Sequence, residues 1–286
     1  MQPEVTPFFH APTFTVTYLV KDTDSNHCVI IDSVLDFDQK SGRTNTKAAD
    51  DIIAYVQDKE LTIDWILETH VHADHLSAAP YLQEALGGNI AIGNRVPAVQ
   101  DVFSKVYNFS DDFLADGSQF GALLEDGQTI QAGGMTVLVL HTPGHTPACV
   151  TYLIGDAAFV GDTLFMPDFG TARTDFPGGD ASTLYKSIRR ILSLLNETRI
   201  FAGHDYAPGD RDYAWESTVR EQNRSNIHIN AGISKDEFVQ MRNDRDATLD
   251  MPLLILPSVQ VNIRAGHMPK PEDNGVVYLK VPMNQF

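Results

Sequence analysis

Histidine and aspartate recur where apolar runs end, and this recurrence constrains the chain more than any other feature. Four such segments are, in order, residues 69–75 (THVHADH), 142–146 (TPGHT), 161–165 (GDTLF) and 203–206 (GHDY). Each follows a run of β-strand character, so each is expected to display its polar side chains from a strand end. Because histidine and aspartate are ligands of transition-metal ions, the ordered set predicts a metalloenzyme.

The local geometry of these segments favours a shared ion. Alternate residues of an extended chain project to the same side, so His70 and His72 are expected to point together. His75 falls at the start of a helix predicted from Leu76, and His145 follows a Pro-Gly turn. The candidate ligands are His70, His72, Asp74, His75, His145, Asp162 and His204. They are enough for two ions, or for one ion whose ligands are oriented by the remaining side chains.

Charge and cysteine content narrow the possible partners. The chain has 286 residues, 38 acidic and 21 basic side chains, and a formal net charge of −17. Nucleic-acid binding needs a surface rich in Lys and Arg, so that class is disfavoured, whereas a small anionic substrate is not. Cys28 and Cys149 are too few for a disulfide framework and are expected in buried strands. No secretory or membrane-spanning apolar run is visible, so the expected location is the cytoplasm, without a membrane partner.

The hydrophobic pattern predicts an α/β fold. Strands are expected at residues 13–20, 27–32, 64–69, 129–131, 135–141, 148–154, 157–160 and 199–202. Helices are expected at residues 44–59, 76–86, 96–106, 181–195, 213–223 and 234–245. This order suits an αββα sandwich, with two mixed sheets face to face and helices outside. We expect one domain over residues 13–245 and a C-terminal extension, residues 246–286, packed on the same domain.

The motifs resemble those of a known group of proteins. The pattern H-x-H-x-D-H at residues 70–75, followed by His145, Asp162 and His204, resembles that of the metallo-β-lactamase superfamily. Resemblance to the persulfide dioxygenase family within it rests on residues 171–176 (TARTDF), 184–188 (LYKSI) and 203–206 (GHDY). The similarity covers most of the chain and implies the αββα metallo-β-lactamase sandwich.

The resemblance also implies a reaction. It implies one Fe(II) ion per chain, held by His70, His145 and Asp162, with open positions for a persulfide sulfur and O2. The implied chemistry converts glutathione persulfide, O2 and water to glutathione and sulfite. The residues implied to orient ligands or to transfer protons are His72, Asp74, His75 and His204. The implied partners are therefore a small thiol persulfide such as glutathione persulfide, and O2, with the chain expected to form a homo-oligomer.

Substrate contacts are expected from three side chains beside the metal motifs. Arg173 is the candidate partner of a glutathione carboxylate, because its planar guanidinium suits that group, and a structural ion pair is its alternative role. Tyr206 and Thr146 are the other candidates, although Tyr206 could equally serve packing. Residues 226–229 (NIHI) stand where the related dioxygenases carry an arginine that contacts glutathione.

Two other functions fit the same ligand set. In a zinc hydrolase Asp162 would bridge two ions, and a thioesterase similar to glyoxalase II is the main alternative. The absence of a Lys/Arg-rich segment after Asn226 and the presence of Arg173 to Phe176 weigh against it. A non-catalytic binding or sensor module is the third interpretation, but a structural site is usually closed by four ligands.

Overall fold

Two six-stranded sheets form the centre of the molecule, whose computed structural model describes residues 2–109 and 113–285. The first sheet contains, in spatial order, β1 (Glu4–His10), β2 (Thr15–Lys21), β3 (His27–Ile31), β6 (Thr62–Leu67), β8 (Asn89–Gly93) and β9 (Ala122–Leu124). Its first three strands are antiparallel and the later pairs are parallel.

The second sheet is mostly antiparallel. It contains β10 (Thr129–Ala132), β11 (Met135–His141), β12 (Val150–Ile154), β13 (Ala157–Phe159), β14 (Arg199–Phe201) and β15 (Glu216–Thr218). Only β13 and β14 pair in parallel among these described strands. A small third sheet joins β5 (Arg43–Asn45), β4 (Val34–Asp38) and β7 (Leu76–Ser77).

Helices cover the outer faces of both sheets. They are α1 (Lys47–Asp58), α2 (Ala79–Leu86), α3 (Val96–Val106), α4 (Ala181–Ile191), α5 (Val219–Ser225), α6 (Lys235–Asp246) and α7 (Ile255–Asn262). One apolar cluster joins the first sheet to α1, α2, α3 and α7, and another joins the second sheet to α4 and α6. A third lies between the two sheets, so the layers follow the predicted αββα order.

Two buried tyrosines link the sheets beside the segments that carry the metal motifs. The hydroxyl of Tyr18 on β2 donates to the carbonyl of Ala202, at 2.5 Å, just before His204. The hydroxyl of Tyr152 on β12 donates to the carbonyl of Glu68, at 2.9 Å, just before His70. Burial obliges each phenol to find a partner, so these bonds hold the two loops at one edge of the sandwich.

Several element boundaries differ from those expected. The helix predicted from Leu76 begins at Ala79, because Leu76 and Ser77 pair with β4 instead, so His75 precedes a strand and not a helix. The helix predicted at residues 213–223 is wrong in its first half, where residues 216–218 form β15. A capping box between Thr218 and Glu221 then starts α5. The helix predicted to residue 195 ends at Ile191.

The C-terminal extension contains a buried helix that the hydrophobic pattern did not reveal. The apolar cluster of the first sheet includes Ile255 and Val259 of α7, and Ile263 directly after the helix. Residues 267–285 are mostly exposed. Nowhere in residues 2–109 and 113–285 does a helix have both the length and the apolar character that a membrane crossing needs.

Candidate metal centre

Three predicted ligands converge at the edge of the sandwich. His70 follows β6 in the first sheet, whereas His145 and Asp162 lie in loops that follow β11 and β13 in the second. The Nε2 atoms of His70 and His145 lie 3.9 and 3.8 Å from Oδ2 of Asp162. One ligand atom from each residue lies within 4.8 Å of the other two. Both sheets therefore contribute to a single three-ligand group.

Hydrogen bonds set which ring nitrogen of each histidine faces this point. The hydroxyl of Thr69 donates to Oδ2 of Asp32, at 2.8 Å, so the hydroxyl oxygen of Thr69 accepts from Nδ1 of His70, at 3.0 Å. Nδ1 of His145 donates to the carbonyl of Arg173, at 2.8 Å. A neutral imidazole that donates through Nδ1 carries its lone pair on Nε2. Nε2 of each ring is thus the atom available to an ion beside Asp162.

Unpaired buried atoms indicate that this group suits a metal ion. Nε2 of His70 and Oδ1 of Asp162 are buried without a hydrogen-bond partner among the described residues. Burial, together with His72 and His145, lowers the pKa of His70 well below its ordinary value, so its imidazole stays neutral. Leaving such atoms unpaired in the interior costs free energy, and coordination to a cation removes that cost. The donor set, two imidazoles and a carboxylate, suits iron or zinc.

His72 is held apart from this three-ligand group. Its Nε2 lies 3.1 Å from Oδ1 of Asp32 and 3.2 Å from Oε2 of Glu68, and all three side chains are buried. The other oxygen of Glu68 accepts from the hydroxyl of Ser77 at 2.5 Å. His72 groups with these carboxylates and with Asp74 and His75, not with the three converging ligands. The sequence spacing alone could not separate His72 from His70.

The remaining candidate ligands form an adjacent group. Nε2 of His204 lies 3.3 Å from Oδ2 of Asp74 and 3.3 Å from Oδ1 of Asp162. Its Nδ1 donates to the carbonyl of Phe14 at 3.2 Å, so Nε2 is the atom that faces the two carboxylates. Burial alone would lower the pKa of His204, but the charges of Asp162 and Asp74 raise it above its ordinary value. Nδ1 of His75 lies 3.3 Å from Asp74, and its Nε2 is buried without a partner. Asp162 therefore stands between two possible metal positions.

A tight turn presents His145. Gly144 has a φ of 140°, and a Cβ on it would lie 2.3 Å from Cα of Leu184 in α4. The hydroxyl of Ser187, one turn along the same helix, donates to the carbonyl of Pro143 at 2.6 Å. Only glycine permits this approach, so the Pro-Gly pair seats the loop directly on the helix.

A cavity of about 410 Å³ opens above the ligands. His145, Asp162 and Asp74 lie on its wall, together with aromatic, apolar and arginine side chains. The aromatic members are Phe14, Phe165, Phe169, Phe176 and Tyr206. Cavities of this size accept small organic ligands, and the apolar walls exclude water from the metal side.

Comparison with known proteins identifies the family. Residues 10–204 match the model of the metallo-beta-lactamase superfamily. The chain belongs to the metallo-β-lactamase superfamily. It is therefore a metal-binding enzyme of the hydrolase or dioxygenase type, and the His and Asp groups described above are its candidate ligands.

Relatives within the superfamily carry two kinds of name. The chain is 56% identical to a probable metallo-hydrolase of Burkholderia pseudomallei, over 97% of this chain and 98% of that protein. It is 50% identical to glyoxylase B2 of Dictyostelium discoideum, over 93% and 92% of the two chains. It is 31% identical to the persulfide dioxygenase ETHE1 of Bos taurus, over 90% and 87%.

Coverage and structural similarity extend beyond the metal motifs. The crystal structure of ETHE1 from Myxococcus xanthus aligns over 92% of this chain and 100% of that chain, with a TM-score of 0.73 and 29% identity. The chain spans only 65% of a beta-lactamase hydrolase-like protein of Agrobacterium fabrum, to which it is 53% identical.

The predicted substrate contacts of this superfamily member have different surroundings. Tyr206 lies on the cavity wall, with its ring 4.7 Å from that of Phe169 and stacked 6.0 Å from His204. Arg173 also lines the cavity, but Asp175 occupies its Nε and Nη2 and the carbonyl of Asp250 accepts from Nη1. Its guanidinium is thus already paired within the protein.

Thr146 lies behind the cavity wall. It is 7% exposed, and its hydroxyl lies 3.0 Å from the sulfur of Cys149. It is not among the residues that line the cavity of about 410 Å³. In this structure Thr146 therefore shapes the His145 loop from beneath and does not face the substrate space.

Asn262 of α7 is a site residue that sequence reasoning missed. Its Nδ2 donates to the carbonyls of His72 and His75, at 2.8 and 2.7 Å, and its Oδ1 accepts from the amide of Ser77 at 2.8 Å. One buried amide side chain thus fixes the loop that carries the H-x-H-x-D-H motif. No local pattern links this residue to a loop some 190 positions earlier.

Proposed function

We propose that this protein is a persulfide dioxygenase that uses one Fe(II) ion held by His70, His145 and Asp162. The observation that carries the proposal is the three-ligand group, from which Asp32 and Glu68 keep His72 apart. Two imidazoles and one carboxylate are the ligands of non-haem Fe(II) oxygenases, which need open positions for substrate and O2. The similarity to persulfide dioxygenases over nine-tenths of the chain supports it.

The overall reaction takes glutathione persulfide, O2 and water to glutathione, sulfite and two protons. Bound Fe(II) would supply the redox chemistry between the terminal sulfur and O2. The protein contributes orientation: Thr69 and the Arg173 carbonyl hold His70 and His145 in the tautomers that direct Nε2 inward. The aromatic walls keep bulk water from the reacting sulfur.

Oxygen consumption tests this proposal. Protein loaded anaerobically with Fe(II) should consume O2 when glutathione persulfide is added, and sulfite should form in equal amount. The thiol formed should match the persulfide consumed. Absence of O2 uptake from protein that contains stoichiometric iron would exclude the dioxygenase.

A thioester hydrolase with two zinc ions is the second candidate. The contacts of Asp74 with His75 and His204, and of His204 with Asp162, favour it. The similarity to relatives named metallo-hydrolase and glyoxylase also supports a hydrolase. Zinc-loaded protein should then hydrolyse S-lactoylglutathione, and metal analysis should find two ions per chain instead of one.

The assembly state belongs to the proposal as well. We propose that the chain functions as a homo-oligomer whose partners are a small thiol persulfide and O2. Light scattering on the purified protein should give a mass that is a multiple of 31.6 kDa. A monomer at micromolar concentration would exclude the oligomer without affecting the chemistry proposed for the metal centre.

A further inference from the structure

Three arginines line the cavity, and they differ in whether a carboxylate of the protein pairs with the guanidinium. Arg173, Arg242 and Arg245 all lie on its wall. We propose that Arg245 binds a carboxylate of the thiol that carries the persulfide, and so selects carboxylate-bearing substrates. The identity of the substrate in this inference rests on the proposed dioxygenase function. The binding test described below does not depend on that function.

Two of the arginines are neutralised within the protein. Arg173 forms two bonds of 2.6 Å to Asp175 and a third to the carbonyl of Asp250. Arg242 is buried, directs Nε and Nη2 to Asp246, and donates from Nη1 to the carbonyl of Thr171. Each guanidinium therefore has a carboxylate partner within the protein that balances its charge.

Arg245 has no such partner. It lies in the last turn of α6, is exposed, and forms no ion pair or side-chain hydrogen bond with any residue in the described part of the chain. A guanidinium presents two parallel donors that match a carboxylate. In a chain with a net charge of −17, this unpaired cation is the feature of the cavity wall suited to an anion.

A short series of contacts connects Arg245 to the metal centre. Nδ1 of His145 donates to the carbonyl of Arg173. The next residue, Thr174, donates its amide and hydroxyl to Oδ2 of Asp246, at 2.8 and 3.0 Å. Asp246 directly follows Arg245 and is buried. The end of α6 is therefore held in fixed register with a metal ligand, which lowers the cost of orienting a bound substrate.

This arrangement specifies a class of substrate. The sulfur end of the ligand would lie at His145 and Asp162, and its carboxylate would lie at Arg245 on the same cavity wall. The aromatic side chains of the same cavity accept the uncharged part of the molecule. We therefore expect a persulfide of a peptide or amino-acid thiol to be preferred over one that carries no carboxylate.

Binding of glutathione itself tests the inference without catalysis. Calorimetry on the metal-loaded protein should show that Arg245→Met weakens glutathione binding at least tenfold, about 1.4 kcal/mol. Arg245→Lys should recover part of the loss, because it restores the charge but not the planar donor pair. Glutathione diethyl ester should bind the wild type and Arg245→Met equally weakly. The control is Arg224→Met, an exposed arginine on α5 outside the cavity wall, which should bind as the wild type.

Steady-state assays then separate this inference from the proposed function. With glutathione persulfide, Arg245→Met should raise KM about tenfold and leave kcat within twofold, and with the persulfide of 2-mercaptoethanol it should change neither. Unchanged glutathione affinity in Arg245→Met, or no glutathione binding by the wild type, would overturn the inference whatever the O2 uptake. Weakened binding in Arg245→Met without O2 uptake from any persulfide would support the anchor and reject the dioxygenase.

Discussion

Hydrogen-bond partners decide what each histidine at the metal centre can do. His145 and His204 donate through Nδ1 to main-chain carbonyls, which can only accept, and His70 donates to a threonine oxygen whose own proton is engaged. Each ring therefore directs Nε2, and not Nδ1, toward the metal positions before any ion arrives. A main-chain acceptor fixes the ring orientation independently of nearby side-chain substitutions, so the orientations of His145 and His204 depend on the backbone.

His145→Ala should lose both metal and activity. Loss of a partner that merely orients a ligand lowers metal affinity by about 10–100-fold, so loss of a ligand should cost at least as much. Metal analysis after gel filtration measures it directly. His267→Ala, which changes an exposed histidine, is the control and should retain the full metal content. Full metal content in His145→Ala would remove His145 from the ligand set.

The buried side chain of His228 should make the free energy of unfolding depend on pH. Nδ1 of His228 accepts from the amide of Thr171 at 3.0 Å, so the ring is held neutral. Burial, and then the charges of Arg242 and Arg245, lower the pKa of His228 from 6.5 to about 4. The unfolded chain then binds more protons between these values, so the free energy of unfolding should fall as the pH falls from 6.5 to 4.

Denaturation of wild type and His228→Gln across this pH range measures the effect. We expect the wild type to lose about 1–3 kcal/mol more than the variant between pH 6.5 and pH 4, because glutamine has no proton to gain. Above pH 7 the two pH profiles should run parallel. Identical slopes below pH 6.5 would show that His228 titrates normally in the folded protein.

At the scale of elements, α7 belongs to the active site although it begins 51 residues beyond the end of the region that matches the superfamily model. Asn262 stands at its last turn and supplies both donors and the acceptor that the metal loop lacks. The helix is anchored by apolar contacts with the first sheet, so its amide is presented from a rigid support. The loop itself contains no regular structure between β6 and β7.

Asn262→Ala should loosen this loop while the fold persists. Two buried carbonyls would lose their donor, at a cost of about 1–3 kcal/mol each in stability. Metal affinity should fall by about 10–100-fold, because the backbone of His72 and His75 is no longer fixed. Competition with a chelator measures the affinity. Asn243→Ala, an exposed asparagine on α6, should change neither quantity; an equal effect in that variant would indicate general destabilisation instead.

At the scale of the whole molecule, the metal centre joins the two sheets. His70 follows a strand of the first sheet, and the other two ligands follow strands of the second. Tyr18 and Tyr152 already bond across this edge, but the buried nitrogen of His70 and the oxygen of Asp162 remain unpaired without an ion. An ion at this point therefore acts as a cross-link between halves of the sandwich.

Removal of the metal should lower the melting temperature. An ion present at 100 times its dissociation constant adds about 2.7 kcal/mol to the stability of the folded state. For a domain of this size, that corresponds to about 5–10 °C. Differential scanning calorimetry before and after dialysis against a chelator should show the loss, and added Fe(II) should reverse it. A melting temperature that does not respond to chelation would show that the two sheets hold together without the ion.

The layer order and most elements followed from local patterns. The helix at residues 96–106 and the strand at residues 135–141 have the predicted bounds, because their apolar spacing is regular and flanked by turn residues. Prediction failed where pairing with distant residues decided the outcome. Leu76 and Ser77 pair with β4, and residues 216–218 pair with β14, so both leave the helices predicted for them.

The sequence by itself determined which residue types cluster at the metal centre, since H-x-H-x-D-H and the later His and Asp residues are local features of strand ends. Only the tertiary structure decided how these residues divide. It engages His72 with Asp32 and Glu68, pairs Arg173 with Asp175, and leaves Arg245 unpaired on the cavity wall. The physical reason is that charge pairing and hydrogen bonding depend on distances between atoms, and folding sets those distances between residues far apart in the chain.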